Sequence, residues 1–327
     1  MLTIRPFRNE DPLKLLEIWR QQQRDPLRAH YIPMTMAELD TGPLGIPFFD
    51  RHCLQLAFDD KRPVGFVQVG FASNSDGSGL SREVGHIAVV AVVPDCLEPV
   101  VACKALIQAG ENVLIAGGVH KIFGGSPRPG LPYYLGLYGG AEPIGIFDAD
   151  TPVIEAFRQL GYKIHQKTHR FERNLKNYQP RILPGTLRWR EKIQSQIVDC
   201  PPAKNWWEAI SLAHCEWWEL TGVQTENARA IAKVRVRLSQ PGPDKMQRAY
   251  DNNWDAALTE IRVHPDFHRK GLGAFVLGEI LRFLIRENRA TRIEAHIAES
   301  CSALCGLLRA LDWHEIETGT IFARKVR

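Results

Sequence analysis

The sequence predicts a mixed α/β fold built from two related halves. Segments that alternate apolar and polar residues, as strands do, are followed by segments with apolar residues at helical spacing. A repeat is the second observation. Val92-Val93-Pro94-Asp95 aligns with Val263-His264-Pro265-Asp266, and Phe157-Arg158-Gln159-Leu160-Gly161-Tyr162 aligns with Leu308-Arg309-Ala310-Leu311-Asp312-Trp313. Matched segments in the same order favour a duplicated domain, and a chance match of short apolar segments is the alternative.

The elements of the first half follow from these patterns. The proline- and glycine-rich residues 25–49 predict a surface loop with one short helix, and residues 83–93 are apolar enough for a buried strand. The other predicted elements are an edge strand at 2–7, a helix at 12–22, a hairpin of strands at 53–58 and 64–71, and a helix at 99–114.

The second half follows a linker. Residues 174–184 have linker composition, which predicts one domain at 1–178 and a second at 179–327. The predicted elements of the second domain are a strand region at 186–199, a helix at about 204–220, strands at 228–238 and 254–263, a helix at 274–287, a strand at 292–299 and a helix at 300–310.

Composition and charge narrow the class of protein. Of 327 residues, 44% are hydrophobic and 24% are charged, as in globular domains. The formal net charge of +4 is too small to predict a nucleic-acid partner. Seven scattered cysteines predict reduced thiols in a cytoplasmic protein, and no cluster has the spacing of metal ligands. No signal peptide is recognisable, and no apolar run reaches the roughly 18 residues of a membrane span, so no membrane partner is expected.

The most informative stretch joins the strand at 254–263 to the helix at 274–287. Its loop carries His268, Arg269 and Lys270 with two glycines. A helix N-terminus has unpaired N–H groups and partial positive charge, which suits an anionic phosphate. The spacing is not that of a P-loop, and a plain basic turn is the alternative.

The pattern Val263-x-Pro265-x-x-His268-x-x-Gly271-x-Gly273 resembles the acyl-CoA pyrophosphate loop of the GNAT N-acetyltransferase superfamily, which usually has Gln or Arg in place of His268. The resemblance implies two GNAT-like domains, each a mostly antiparallel sheet with splayed central parallel strands and flanking helices. It also implies acetyl-CoA as co-substrate. The residues it assigns to acetyl-CoA are Ile261, Arg262, Val263, His268, Arg269, Lys270, Gly271, Leu272, Gly273 and Ala274, with Cys301 at the position of the family's Asn.

The resemblance further implies that an amine attacks the thioester carbonyl. An alkyl ammonium has a pKa near 10.4, so its deprotonation at pH 7 costs roughly 4–5 kcal/mol and a general base helps. Glu260 is the candidate base, and a strand carboxylate paired with Arg262 is the alternative. Leu308 stands where the family has a tyrosine acid. Either the thiolate leaves unaided, or the proton comes from Ser300, Cys301, Cys305 or His296.

Two aromatic groups have two interpretations each. Trp206, Trp207, Trp217 and Trp218 fall on the helix predicted at 204–220, either as its core face or as a wall of the acceptor pocket. Trp217 and Trp218 are therefore the candidate substrate-binding residues. The insertion at 124–145, rich in glycine and tyrosine, is either a surface loop or a lid near the acceptor.

The first copy lacks the features of the loop. Opposite His268 to Gly273 it has Leu97-Glu98-Pro99-Val100-Val101-Ala102, which removes both basic residues and adds an acid. This copy is therefore not expected to bind CoA in the usual way.

The sequence thus predicts an N-acetyltransferase whose C-terminal domain acetylates a small-molecule or peptide amine. An acyl-CoA-binding regulatory module with weak or no catalysis is the alternative. A nucleic-acid adaptor would need a basic aromatic stripe, which the sequence does not show. Oligomerisation is left open.

Overall fold

A computed structural model gives the fold of the chain. It describes residues 1–23, 31–126, 133–134, 144–176, 178–179, 181, 183–212, 216–238, 255–287 and 290–326. Most of the insertion predicted at 124–145 lies outside the described residues.

The described residues form strands and helices in both halves of the chain. The strands are β1 (Leu2–Pro6), β2 (Leu54–Asp59), β3 (Arg62–Ser73), β4 (Leu80–Val92), β5 (Lys121–Gly124), β6 (Ile146–Phe147), β7 (Lys163–Asn174), β8 (Ile193–Asp199), β9 (Glu216–Gln224), β10 (Ala230–Leu238), β11 (Asp255–Val263), β12 (Arg292–Ala298) and β13 (His314–Lys325). The helices are α1 (Pro12–Gln22), α2 (Met36–Thr41), α3 (Pro99–Ala116), α4 (Thr151–Gln159), α5 (Trp206–Leu212), α6 (Leu272–Arg286) and α7 (Ser302–Ala310).

The two copies share one sheet because they exchange their last strands. In the described residues its order is β1-β2-β3-β4-β5-β13-β7-β12-β11-β10-β9-β8, and β6 also pairs with β13. β7 of the first copy pairs with β12 of the second, and β13 pairs with β5 of the first. Phe171 of β7 therefore lies in the second hydrophobic core and Phe322 of β13 in the first. Each core is completed by a strand from the other copy.

The exchanged strands pair about a local twofold centre. Phe171 of β7 and Phe322 of β13 are equivalent positions of the repeat, and so are Thr168 and Gly319. In the β7–β13 ladder Thr168 faces Gly319, so at this point each strand pairs with its own equivalent residue. A side chain at Gly319 would not fit, because a Cβ there would lie 2.9 Å from the Thr168 hydroxyl oxygen. This symmetric register is what a duplicated domain would produce.

The helix predicted at 204–220 was wrong in its second half. α5 ends at Leu212, and Glu216–Gln224 form β9 between β8 and β10. Trp217 and Trp218 are consecutive strand residues and so point to opposite faces of the sheet. Aromatic residues are common in strands, and the ladders with both neighbours override the helical spacing seen in the sequence.

Helix α5 belongs to the second copy in sequence but packs on the first. The Trp207 ring stacks on Phe48 with 5.3 Å between centroids. The backbone N–H of Trp207 donates to the Gly77 carbonyl at 2.9 Å. Trp207 is buried in the first core. The copies therefore contact each other through α5 as well as through the exchanged strands.

Among the described residues one helix, α3, has the length and apolar content of a membrane span. Leu106, Ile107 and Leu114 on this helix are fully buried in the first core. The helix contacts β2, β3 and β4, so its apolar face is covered by the sheet.

Candidate active site

The central parallel strands of the second copy separate where the site begins. β11 and β12 pair only from Asp255 to Ala257, and β11 then continues to Val263 without β12 beside it. A β-bulge follows at Thr259, because Arg235 faces Glu260 whereas the next residue of β10 faces Leu258. Bulges occur next to active sites because they interrupt the ladder and redirect side chains. The splayed strands implied by the family resemblance are present here.

The loop after β11 presents unpaired backbone donors. Arg269 and Gly271 have positive φ angles of 54° and 80°, and α6 starts only at Leu272. The amide groups from Arg269 to Ala274 donate to no acceptor among the described residues. Six consecutive N–H groups at a helix N-terminus, beside two exposed cationic side chains, fit a diphosphate.

The loop is held in this shape by its own chain. His268 Nε2 lies 2.7 Å from the Val263 carbonyl oxygen, and the Trp189 indole N–H donates to the Lys270 carbonyl at 2.8 Å. A Cβ at Gly271 would lie 2.9 Å from the Gly185 carbonyl carbon. Gly271 is thus required by its φ angle and by the linker packed on it, whatever the ligand.

Glu260 lies on the face of the sheet opposite α6. Ile261 and Val263 pack against the second core. Neighbouring strand residues point to opposite faces of the sheet, so the Glu260 side chain points away from that core. Its side chain is 16% exposed, and one oxygen lies 3.7 Å from Nε of Arg235. Arg262 on the same strand forms a second ion pair with it. Both interpretations of Glu260 therefore have a basis: it is paired, and it borders the gap between the strands.

Arg235 connects Glu260 to two further carboxylates. It forms ion pairs with Glu219 of β9 and, through Nη1 at 2.5 Å, with Glu208 of α5. Lys233 adds an ion pair to Glu219 at 2.7 Å. Burial alone would raise the pKa of Glu219, but the hydrogen bonds from Lys233 and Arg235 outweigh it and hold that pKa below its usual range. Burial would also raise the pKa of Glu208, but hydrogen bonds from the Lys204 N–H and from Arg235 outweigh it and lower that pKa.

The remaining predicted acyl-CoA residues lie around the loop. Leu272 and Ala274 are buried in the first turn of α6, so they contribute their N–H groups rather than their side chains. Cys301 is exposed and stands directly before α7. α7 approaches the loop, since a Cβ at Gly273 would lie 3.4 Å from Leu307. Because β12 runs parallel to β11, the start of α7 also lies at the same edge of the sheet as the loop.

Three other predicted positions differ in their surroundings. Leu308 is fully buried in the second core, so no hydroxyl is available at the family's tyrosine position. Trp218 packs on Phe283 of α6 at 4.7 Å and lies on the core face. Trp217 is buried on the opposite face, the face of Glu260. Of the two candidate substrate-binding tryptophans, only Trp217 shares that face.

The first copy repeats the frame of this site without its chemistry. Its bulge falls at Ala88, where Gln68 faces Val89 as Arg235 faces Glu260 in the second copy. No residue of its loop has a positive φ angle. When the two copies are aligned, α3 starts at Pro99, two residues before the position that corresponds to the start of α6. The Ala102 N–H is consequently used within the helix, bonded to the Glu98 carbonyl.

Sequence reasoning missed Arg235, Glu219 and Glu208. No local sequence signal marked Arg235, because its place opposite Glu260 depends on the register between β10 and β11. Glu208 and Glu219 had been assigned to one long helix, which hid the fact that both approach Arg235. Among the described residues, no group of His, Cys, Asp or Glu side chains could hold a metal ion.

Comparison with known proteins agrees with this geometry. Residues 195–312 match the family model described as Acetyltransferase (GNAT) family, a segment that lies within the second copy. No curated protein matches the sequence significantly.

Solved structures match the whole chain. A tandem GNAT protein from the clavulanic acid biosynthesis pathway is 12% identical, with 99% of this chain and 98% of that chain covered and a TM-score of 0.64. A GCN5-related N-acetyltransferase from Sphaerobacter thermophilus is 12% identical, with 100% and 96% covered and a TM-score of 0.66. A fungal GCN5-related glucosamine N-acetyltransferase region is 14% identical over 99% of this chain and 38% of that one, with a TM-score of 0.67. At these identities the likeness establishes the fold.

The family match, the splayed strands and the loop show that the second copy has the GNAT fold. This class supports acyl-CoA N-acyltransferase activity in general. The full-length likeness and the symmetric strand exchange extend the assignment, and the chain is a tandem GNAT-fold protein.

Proposed function

We propose that the second copy binds acetyl-CoA and transfers its acetyl group to an amine. The observation that carries the proposal is the row of unpaired amide donors from Arg269 to Ala274 at the mouth of the β11–β12 gap. The diphosphate would meet these donors, and the acyl-pantetheine arm would run along β11 toward the bulge, as an added strand does.

Glu260 is the proposed general base, directly or through a water molecule. It removes a proton from the amine, whose nitrogen attacks the thioester carbon; the C–N bond forms, the C–S bond breaks, and the sulfur leaves with its electron pair. Backbone N–H groups near the bulge are suited to stabilise the oxyanion. A thiol has a pKa near 8.5, so departure as thiolate is tolerable without an acid at Leu308.

A second candidate is an acyl-CoA-binding module with weak or no catalysis. The buried Leu308 at the tyrosine position favours it. The small-molecule or peptide nature of the acceptor, the absence of nucleic-acid and membrane partners, the cytoplasmic location and the domain division at 178/179 stay predictions.

The test combines binding with turnover. CoA affinity is measured by calorimetry, and release of free thiol from acetyl-CoA is followed with a panel of small and peptide amines. The double variant Arg269→Ala/Lys270→Ala should weaken CoA binding at least tenfold, because it removes two exposed charges next to the amide donors.

Arg158→Ala/Lys163→Ala is the matched control, since it removes the same charge from exposed positions of the first copy. Equal CoA affinity in both double variants would overturn the site assignment. Tight CoA binding without thiol release for any amine would favour the module instead.

A further inference from the structure

Arg235 is a buried cation that the acyl-transfer scheme does not use. It lies at the middle of β10, is 5% exposed, and is the strand partner of Glu260 immediately before the bulge. A buried guanidinium is retained only where carboxylates surround it, because an unpaired buried charge is strongly unfavourable. Here it contacts Glu219 and Glu208 directly and lies 3.7 Å from Glu260.

Only one of these three carboxylates borders the acyl gap. Glu219 is on β9, one strand farther from β12 than β10. Glu208 is on α5 and also accepts from the Lys204 N–H at 2.5 Å, which fixes it at the start of that helix. Arg235 is thus anchored on two sides, and its position relative to Glu260 is set by those anchors.

The α5 anchor depends on the first copy. The residue next to Glu208, Trp207, is 6% exposed, stacks on Phe48 and donates its N–H to Gly77. Adjacent helix residues point about 100° apart, so α5 can present Trp207 to the first copy and Glu208 to Arg235 at once. A continuous chain of contacts therefore runs from Phe48 through α5 and Arg235 to Glu260.

The first copy has different side chains at the positions that correspond to Arg235 and Glu260. Gln68 and Val89 occupy the positions of Arg235 and Glu260, and the amide oxygen of Gln68 accepts from the Tyr134 hydroxyl at 2.6 Å. Cation and carboxylate are replaced together by an amide and a valine. The pairing of Arg235 with Glu260 goes with the copy that has the open amide loop.

We propose that Arg235 is a positioning residue for Glu260, and that the first copy holds it in place through α5. This inference rests on the proposed function and adds a role for the first copy: it supports the position of the general base through α5. Arg235 limits the positions that the Glu260 carboxylate can take, while Glu208 and Glu219 prevent the guanidinium from closing onto Glu260.

The split between rate and CoA affinity is the distinguishing readout. The charged groups that face Glu260 are Arg235 and Lys233 on β10, Arg262 on its own strand, Glu219 on β9 and Glu208 on α5. Arg235 is the buried cation of this set. Arg235→Gln should therefore lower kcat, which depends on the placement of Glu260, and leave CoA affinity unchanged.

The experiment compares Arg235→Gln and Arg235→Lys with Gln68→Leu in the first copy, which alters an equally buried strand residue. Arg235→Gln should lower kcat about tenfold, Arg235→Lys should restore most of the rate, and CoA affinity should stay within twofold. A purely structural role would lower the amount of folded enzyme and leave kcat per folded molecule unchanged, and that outcome would overturn the proposal.

Phe48→Ala tests the link to the first copy without touching the charged groups. It should lower kcat severalfold at unchanged CoA affinity, whereas Phe49→Ala, the neighbouring aromatic that packs on Phe7, should not. Equal effects of the two would remove the first copy from the proposal. If Glu260→Gln itself leaves the rate unchanged, the assignment of Glu260 as the base fails and this inference fails with it; if no amine releases thiol, the proposed function fails. If Glu260→Gln abolishes activity but Arg235→Gln leaves kcat unchanged, only this inference fails.

Discussion

The two copies have the same backbone frame and different chemistry at one point of it. Both have a bulge on the strand that precedes the loop, and in both the parallel pairing stops shortly before that bulge. The second copy has Arg235 and Glu260 across the bulge, and the first has Gln68 and Val89. The fold alone therefore does not make an active site; the side chains placed on it do.

The loops differ in the same direction. In the second copy positive φ angles at Arg269 and Gly271 delay the start of α6 and leave amide donors open. In the first copy the helix starts earlier at Pro99, which has no N–H. One loop is arranged for an anion, and the other is closed on itself.

Glu260→Gln gives the largest expected effect. Loss of the general base should lower kcat about 10²-fold or more, because the ammonium must then lose its proton without help. Val89→Thr, at the corresponding position of the first copy, should leave the rate unchanged. Thiol release at saturating acetyl-CoA is the measurement, and a rate for Glu260→Gln within threefold of wild type would contradict the assignment of the base.

Much of this frame follows from the sequence because it depends on local patterns. The strand, loop and helix from 254 to 287 could be predicted from alternation, the glycines and helical spacing, and the structure confirms their order. The duplicated fold followed from the matched terminal segments.

The rest depends on contacts between distant residues. Nothing in the local pattern distinguishes a last strand that returns to its own sheet from one that crosses to the other copy, because Phe171 and Phe322 occupy equivalent positions in either arrangement. The Arg235 cluster was missed for a related reason: α5 and β9 were merged into one helix, so Glu208 and Glu219 were assigned to the wrong surroundings.

Gly271→Val and Val100→Gly separate the two loops by stability. Valine at 271 would have to adopt a φ of 80° and would meet the Gly185 backbone, so we expect a loss of about 3 kcal/mol or more. Glycine at 100, in the first turn of α3, should cost about 1 kcal/mol and should confer no CoA binding. Urea unfolding provides both values; equal losses would show that Gly271 is not specially required.

The pH dependence of stability should arise partly from the first copy. Burial lowers the pKa of His86 to about 4, and His86 is 2% exposed. The unfolded chain binds this proton near pH 6.5 and the folded chain does not, so stability falls as pH drops from about 6.5 to 4. The loss between pH 7 and 5 should be about 2 kcal/mol from this group.

His86→Gln removes that titration, and its urea unfolding free energy should change correspondingly less between pH 7 and 5. The second copy has Ala257 at the aligned position and contributes nothing comparable there. The same pH dependence in wild type and variant would place the titrating groups elsewhere.

Arg324→Ala tests how firmly the exchanged strand is held in the first core, and its effect should be the smallest. Arg324 of β13 donates to Glu111 of α3 at 2.9 Å, and Glu111 is 6% exposed and also accepts from the Tyr162 hydroxyl. Removing the cation leaves a buried carboxylate with one neutral donor, but Arg324 is itself 41% exposed, so we expect a loss of about 1–2 kcal/mol. Adding Glu111→Gln to Arg324→Ala should recover part of the loss, since the buried charge is then gone, and Lys325→Ala on the same strand should be neutral. A double variant no more stable than Arg324→Ala would mean that packing of the arginine stem, rather than its charge, holds the strand.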